Sequence, residues 1–221
     1  AADFTITSRI LRIVEIITYA FNIIFMPLIA EKVAEKDFKL LRDSLSPYQD
    51  IVVFLGLIGG FLMFALSKFL ILTWLPQRFA PSVLILEIMS PGVFFYFYFV
   101  MFRSIIHSID EKPVQTYIEL AGVIGLFITF FSLYRLNIRP AYSISLSVNI
   151  YFFVKALYSF VFLNKRLKLE NKTAMWILNT AFLIVLCFVS KKNPVFAFAV
   201  FLIAEGFIAY KYYLPIIRFK K

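Results

Sequence analysis

The sequence predicts an all-α integral membrane protein with about seven transmembrane helices, and three observations carry that prediction. Of 221 residues, 62% are hydrophobic and only 16% charged, with a mean hydropathy of +0.85. Soluble domains hold roughly 45–50% apolar and about 25% charged residues, so this chain exceeds what a water-soluble fold can hide. The apolar residues also gather in runs near the roughly 20 that a helix needs to cross hydrocarbon. Finally, no sustained alternation of polar and apolar residues marks the strands of a barrel.

The expected spans run near Phe4–Ala30, Ile51–Trp74, Val83–Ile106, Val114–Leu133, Ala141–Leu163, Ala174–Val189 and Val195–Tyr213. Polar punctuation separates them: SPYQD, LPQRFAPS, DEKP, NIRP, NKRLKLENK and KKNP. Pro47, Pro81, Pro113, Pro140 and Pro194 each fall near the start of a span, where a missing N–H costs little. Pro27 is expected to kink the first span, and Pro91-Gly92 to break the third. The small residues of GLIGG (Gly56, Gly59, Gly60) and AGVIG (Ala121, Gly122, Gly125) mark close helix contacts. Residues 31–50 are too polar to span. Ala34, Phe38, Leu41 and Leu45 recur there at helical spacing, so the segment reads as an amphipathic cytoplasmic helix, with a solvated connector as the alternative.

Charge sets the expected orientation. The first, third and fifth loops and the tail hold Lys32, Lys36, Lys39, Arg42, Arg103, Lys112, Lys165, Arg166, Lys168, Lys172, Lys211, Arg218, Lys220 and Lys221. The opposite loops hold only Arg78, Arg135, Arg139, Lys191 and Lys192. The positive-inside rule therefore puts the first set in the cytoplasm, the chain's start outside and its C-terminus inside. The same rule accounts for the net charge of +10 without a nucleic-acid partner, since the basic residues cap apolar spans and do not line one face. The opening AADFTITSR lacks an initiator Met and a basic region, so it is no signal peptide. An outside start without a signal segment implies the C-terminal part of a longer or split protein.

Polar residues inside the spans are the candidate site. At about 100° per residue, Ser8, Arg12, Glu15, Tyr19 and Asn22 share an arc of about 80°, with Arg9 just off it. A charge facing lipid costs roughly 2.5–3.5 kcal/mol even on lenient insertion scales. The stripe is therefore expected to face a wet cavity or a partner helix. Snorkelling of Arg9 and Arg12 to the outer headgroups, or an Arg12–Glu15 pair, is the plainer alternative. Lys155 lies mid-span, with Tyr151 and Ser159 on its face and Asn149 less closely aligned. It reads either as a cavity lysine or as a structural one, neutral or paired with a glutamate. Glu87, Glu119 and Glu205 are its candidate partners or proton carriers, and His107 sits at a span end. No Gly-rich phosphate loop, His or Cys cluster, or paired-Asp motif is present, so neither an enzyme nor a metal or cofactor site is expected. Cys187 is alone, which excludes a disulfide framework.

Arg9 and Arg12 opening a helix that ends in Pro27-Leu28-Ile29-Ala30-Glu31, followed by a polar segment, resemble a stretch of the polysaccharide flippases. The loop Arg78-Phe79-Ala80-Pro81-Ser82 also looks like their short outer loop, without its usual glycine. The family is the Wzx-type O-antigen flippases, within the multidrug and oligosaccharidyl-lipid/polysaccharide exporter superfamily, and the resemblance covers most of residues 1–165. It implies a 14-helix, MATE-like transporter with two lobes, of which this chain is the C-terminal one (helices 8–14). It also implies a plasma (inner) membrane location and a missing N-terminal lobe. The cargo would be an oligosaccharide on a polyprenyl pyrophosphate, flipped by alternating access through a cationic cavity. Arg9, Arg12 and Lys155 would supply the cations, Tyr19 and Tyr151 would stack on sugars, and Glu15, Asn22 and Asn149 would line the cavity. Glu15 or Glu119 would couple a proton or sodium gradient. The alternatives are a multidrug or cation antiporter of the same superfamily, and a non-transport membrane subunit or intramembrane enzyme.

Overall fold

The computed structural model describes residues 38–109 and 113–167, together with single positions between Thr5 and Glu35. All of these lie in one compact unit, Ala1–Lys172; the second unit, Thr173–Lys221, lies outside the described residues. Among the described residues every regular element is a helix: α1 (Phe38–Ala65), α2 (Ser67–Trp74), a 3₁₀ turn (Gln77–Phe79), α3 (Pro81–Ile109), α4 (Val114–Arg135) and α5 (Pro140–Leu167). Four segments are long and apolar enough to cross a membrane: Leu41–Ala65, Pro81–Ile109, Val114–Arg135 and Pro140–Leu167. The spans expected at 174–189 and 195–213 lie outside the described residues, and of that at 4–30 only single positions, all helical, are described.

Local chemistry explains most boundaries. Pro81 and Pro140 open α3 and α5, and Pro113 caps α4, where the absent N–H would have had no partner. Leu75 is extended (φ −126°, ψ 148°) before Pro76 and ends α2. At the end of α4, Asn137 takes a left-handed φ of 56°. The Ile138 N–H then reaches the Leu133 carbonyl (3.3 Å) and the Asn137 N–H that of Tyr134 (3.0 Å), the double closure that satisfies otherwise orphaned carbonyls.

Two expectations need correction. Pro91 does not break the third span: α3 runs through it. Pro91 cannot donate to the carbonyl of Glu87 four residues back, and the Ser90 hydroxyl donates to that carbonyl instead, at 2.8 Å. The second span does not begin near Ile51 either. Its helix starts at Phe38 and carries Pro47 in its interior. Leu41, Leu45 and Tyr48 are buried along this first part, so packing extends the helix below the apolar run. The irregular turn at Leu66 interrupts it only slightly, because the Leu66 N–H to Leu62 and Leu70 N–H to Leu66 bonds persist at 2.9 and 2.8 Å.

α3 is the central helix and packs against both α1 and α5, while α4 packs mainly on α5. The contacts are made where small residues let backbones approach. A Cβ on Gly56 of α1 would lie 3.0 Å from the Phe94 ring and 3.4 Å from its backbone. Beyond it, Gln49 donates to the Tyr98 hydroxyl (2.9 Å) and Tyr48 meets Phe102 edge-on at 5.5 Å. Across α3 and α5, Phe95 meets Phe153 (5.1 Å) and Tyr96 meets Phe152 (5.0 Å), both edge-on. In a bilayer such contacts act through van der Waals packing and interhelical hydrogen bonds, since lipid is as apolar as the side chains. The outward face of α4 stays apolar, with Leu120, Ile124, Phe127, Ile128 and Phe131 all exposed.

Candidate functional site: a buried lysine–glutamate pair

The spacing of α5 puts Tyr151, Lys155 and Ser159 on one face, one turn apart. Lys155 follows the first residue of α5 by 15 positions and precedes the last by 12, about 18–22 Å of helix on either side. No snorkelling side chain covers that distance, so its ammonium is satisfied inside the bundle. Nζ lies 2.9 Å from Glu119 Oε2 on α4. It also donates to the Tyr151 hydroxyl at 2.9 Å. Tyr151 in turn donates to the same Glu119 oxygen at 2.7 Å. The other carboxylate oxygen accepts from Gln115 Nε2 at 3.2 Å, one turn earlier on α4. From α3, the Phe99 ring faces the ammonium at 3.8 Å, and the Tyr151 ring lies at 4.4 Å. The Lys155 amine is thus met by a carboxylate, a phenol and two aromatic faces, contacts that offset the cost of removing a cation from water.

Gly122 makes the arrangement fit. It lies one turn after Glu119, and a Cβ there would come within 2.9 Å of both Lys155 Cγ and the Tyr151 ring. One turn past Phe99 on α3, the exposed Arg103 is near enough to act electrostatically on Lys155 and Tyr151. It has no ion-pair partner among the described residues. The described cluster therefore holds two cations against one carboxylate.

The remaining expected site residues are not gathered here. Asn149 donates to the backbone carbonyl of Ile88 on α3, and its side chain covers Gly92. It joins α5 to α3 and does not reach Lys155. Arg9 and Tyr19 are helical and exposed, Tyr19 at 69%, with the neighbouring Thr18 buried. Nothing links them to the pair among the described residues. Arg12, Glu15 and Asn22 lie outside the described residues, as does Glu205. Glu87 is half-buried on α3, and His107 is exposed near the end of that helix. Four participants went unforeseen, one of them Arg103, which was counted among the loop cations and lies within α3. Gln115 was signalled by its four-residue spacing from Glu119, and Phe99 by its four-residue spacing from Arg103. Gly122 was visible only as a packing residue.

Chemically, the cluster places an amine and a carboxylate in direct contact inside the bundle. No protein-family model matches the chain, and neither does any curated protein or solved structure.

Proposed function

We propose that this chain is the C-terminal lobe of an alternating-access exporter that flips lipid-linked oligosaccharides across the inner membrane. The observation that carries the reading is the direct contact of Lys155 with Glu119 inside apolar, span-length helices. Ionisable groups at that depth are costly and mark substrate or ion pathways. The Lys/Arg excess on one set of loops and the flippase-like stretch ending in Pro27–Glu31 point the same way. A fixed cation within the span offers a counter-charge to a pyrophosphate headgroup during its passage. On this reading Glu119 couples headgroup movement to a cation gradient.

The test is complementation of a deletion of the full-length gene. Lys155→Met abolishes surface polysaccharide while the protein accumulates in the membrane at its usual level. Normal polysaccharide with Lys155→Met removes the reading. Drug resistance on overexpression, without a glycan phenotype, moves it to the multidrug antiporters.

One observation favours a second reading, a purely structural pair in a non-transport subunit: the partners of Lys155 already enclose its ammonium. Under it, the double variant Lys155→Met/Glu119→Leu keeps full function, because replacing both ions leaves no charge stranded.

A further inference from the structure

The two ends of the pair are unequally covered: the Lys155 side chain is 5% exposed and that of Glu119 36%. The carboxylate is the more exposed partner, and its two oxygens are unevenly held. One of its oxygens takes both the ammonium and the phenol, and the other is held only by Gln115 at 3.2 Å. The Gln115 amide is itself incompletely satisfied, since its buried Oε1 has no hydrogen-bond partner among the described residues. Were Glu119 to withdraw, the 5%-exposed Lys155 would remain without a counter-charge among the described residues, with the exposed Arg103 on α3 near enough to act on it electrostatically. A multiply charged anion with several acceptor oxygens suits such a pair; a neutral sugar or a cation does not.

We infer that Glu119 is a resident counter-anion that occupies the Lys155 site and is displaced by a phosphate-type anion. The exchange is non-covalent: Lys155 and Tyr151 give up their hydrogen bonds to Glu119 Oε2 and donate to phosphate oxygens, with Arg103 supplying the second charge. This inference rests on the export reading for the identity of the anion's carrier, and it adds the device that keeps a buried cation closed in the carrier's absence.

The experiment is equilibrium binding to the full-length protein in phosphatidylcholine nanodiscs. Two radiolabelled probes are used: farnesyl pyrophosphate in the bilayer and inorganic pyrophosphate in the buffer. Glu119→Gln binds farnesyl pyrophosphate about tenfold tighter than wild type, equal to about 1.4 kcal/mol, and adding Lys155→Met abolishes the gain. Gln115→Ala, which loosens the carboxylate without unpairing the lysine, gives a smaller gain in the same direction. It decides the matter if Glu119→Gln does not fold. A gain with both probes assigns the site to phosphate from either source; a gain with farnesyl pyrophosphate alone assigns it to the lipid-borne group. Unchanged or weaker binding in folded Glu119→Gln or Gln115→Ala overturns the inference, and so does a gain that survives Lys155→Met. Because the readout is binding, its failure alongside Lys155-dependent export overturns the counter-anion and leaves the exporter standing. The gain together with normal export in Lys155→Met does the reverse.

Discussion

The stem of Lys155 crosses α4 directly over Gly122: a Cβ at that glycine would lie 2.9 Å from Lys155 Cγ. Both obstructing groups belong to the site, the other being the Tyr151 ring at the same distance. Gly122→Val therefore pushes Lys155 and Tyr151 away from Glu119. Overpacking of this kind costs about 1–3 kcal/mol, and export falls with stability. Gly125→Ala meets only Val154 Cγ2 at 3.3 Å and Ile150 Cγ2 at 3.6 Å, and should be nearly silent. Thermal unfolding in mixed micelles, paired with surface glycan measurement, checks both. Equal stability of Gly122→Val and wild type would mean that α4 and α5 are further apart than described.

The Lys155–Glu119 pair predicts a non-additive cycle. Glu119→Leu leaves the buried Lys155 charge without its partner and costs about 3–5 kcal/mol, whereas Lys155→Met leaves the partly exposed Glu119 and costs less. The double variant removes both charges and recovers most of that loss. Unfolding free energies of the four proteins give the coupling directly. Additive losses would show that the two side chains do not meet.

The Pro91 region gives a test independent of function. Ser90 Oγ occupies the Glu87 carbonyl that Pro91 leaves without a donor. Ser90→Ala thus costs about 1 kcal/mol in the wild-type background. In Pro91→Ala it costs close to nothing, since an N–H at position 91 takes the carbonyl back. The same cost in both backgrounds would contradict the assignment.

These cases also show what a reader of the sequence can and cannot reach. The starts of α3, α4 and α5 were legible because Pro81, Pro113 and Pro140 fix them through covalent geometry, which needs no tertiary context. The first part of α1 was not. Arg42, Asp43 and Asp50 interrupt the apolar run, and only the burial of Leu41, Leu45 and Tyr48 shows that one helix carries both parts. Pro91 misled for a related reason, because the compensating donor is a side chain whose rotamer the sequence does not reveal. Lys155 announced itself by depth. Its partner among Glu87, Glu119 and Glu205 depended on the register of α4 against α5, which the close approach at Gly122 sets. The polar stripe of the first span is represented among the described residues only by Arg9 and Tyr19, both exposed, so the described site rests on α3, α4 and α5.

The central claim is that a fixed cation at Lys155 serves the passage of a pyrophosphate-linked glycan, and transfer in proteoliposomes tests it most directly. The full-length protein is reconstituted with a polyprenyl-pyrophosphate oligosaccharide, and glycan reaching the opposite leaflet is counted with an impermeant glycosidase. Transfer by the wild type, and its loss in a Lys155→Met protein that remains folded and correctly inserted, is the predicted result. Transfer at the wild-type rate by Lys155→Met, or none by the wild type above protein-free vesicles, would contradict the account.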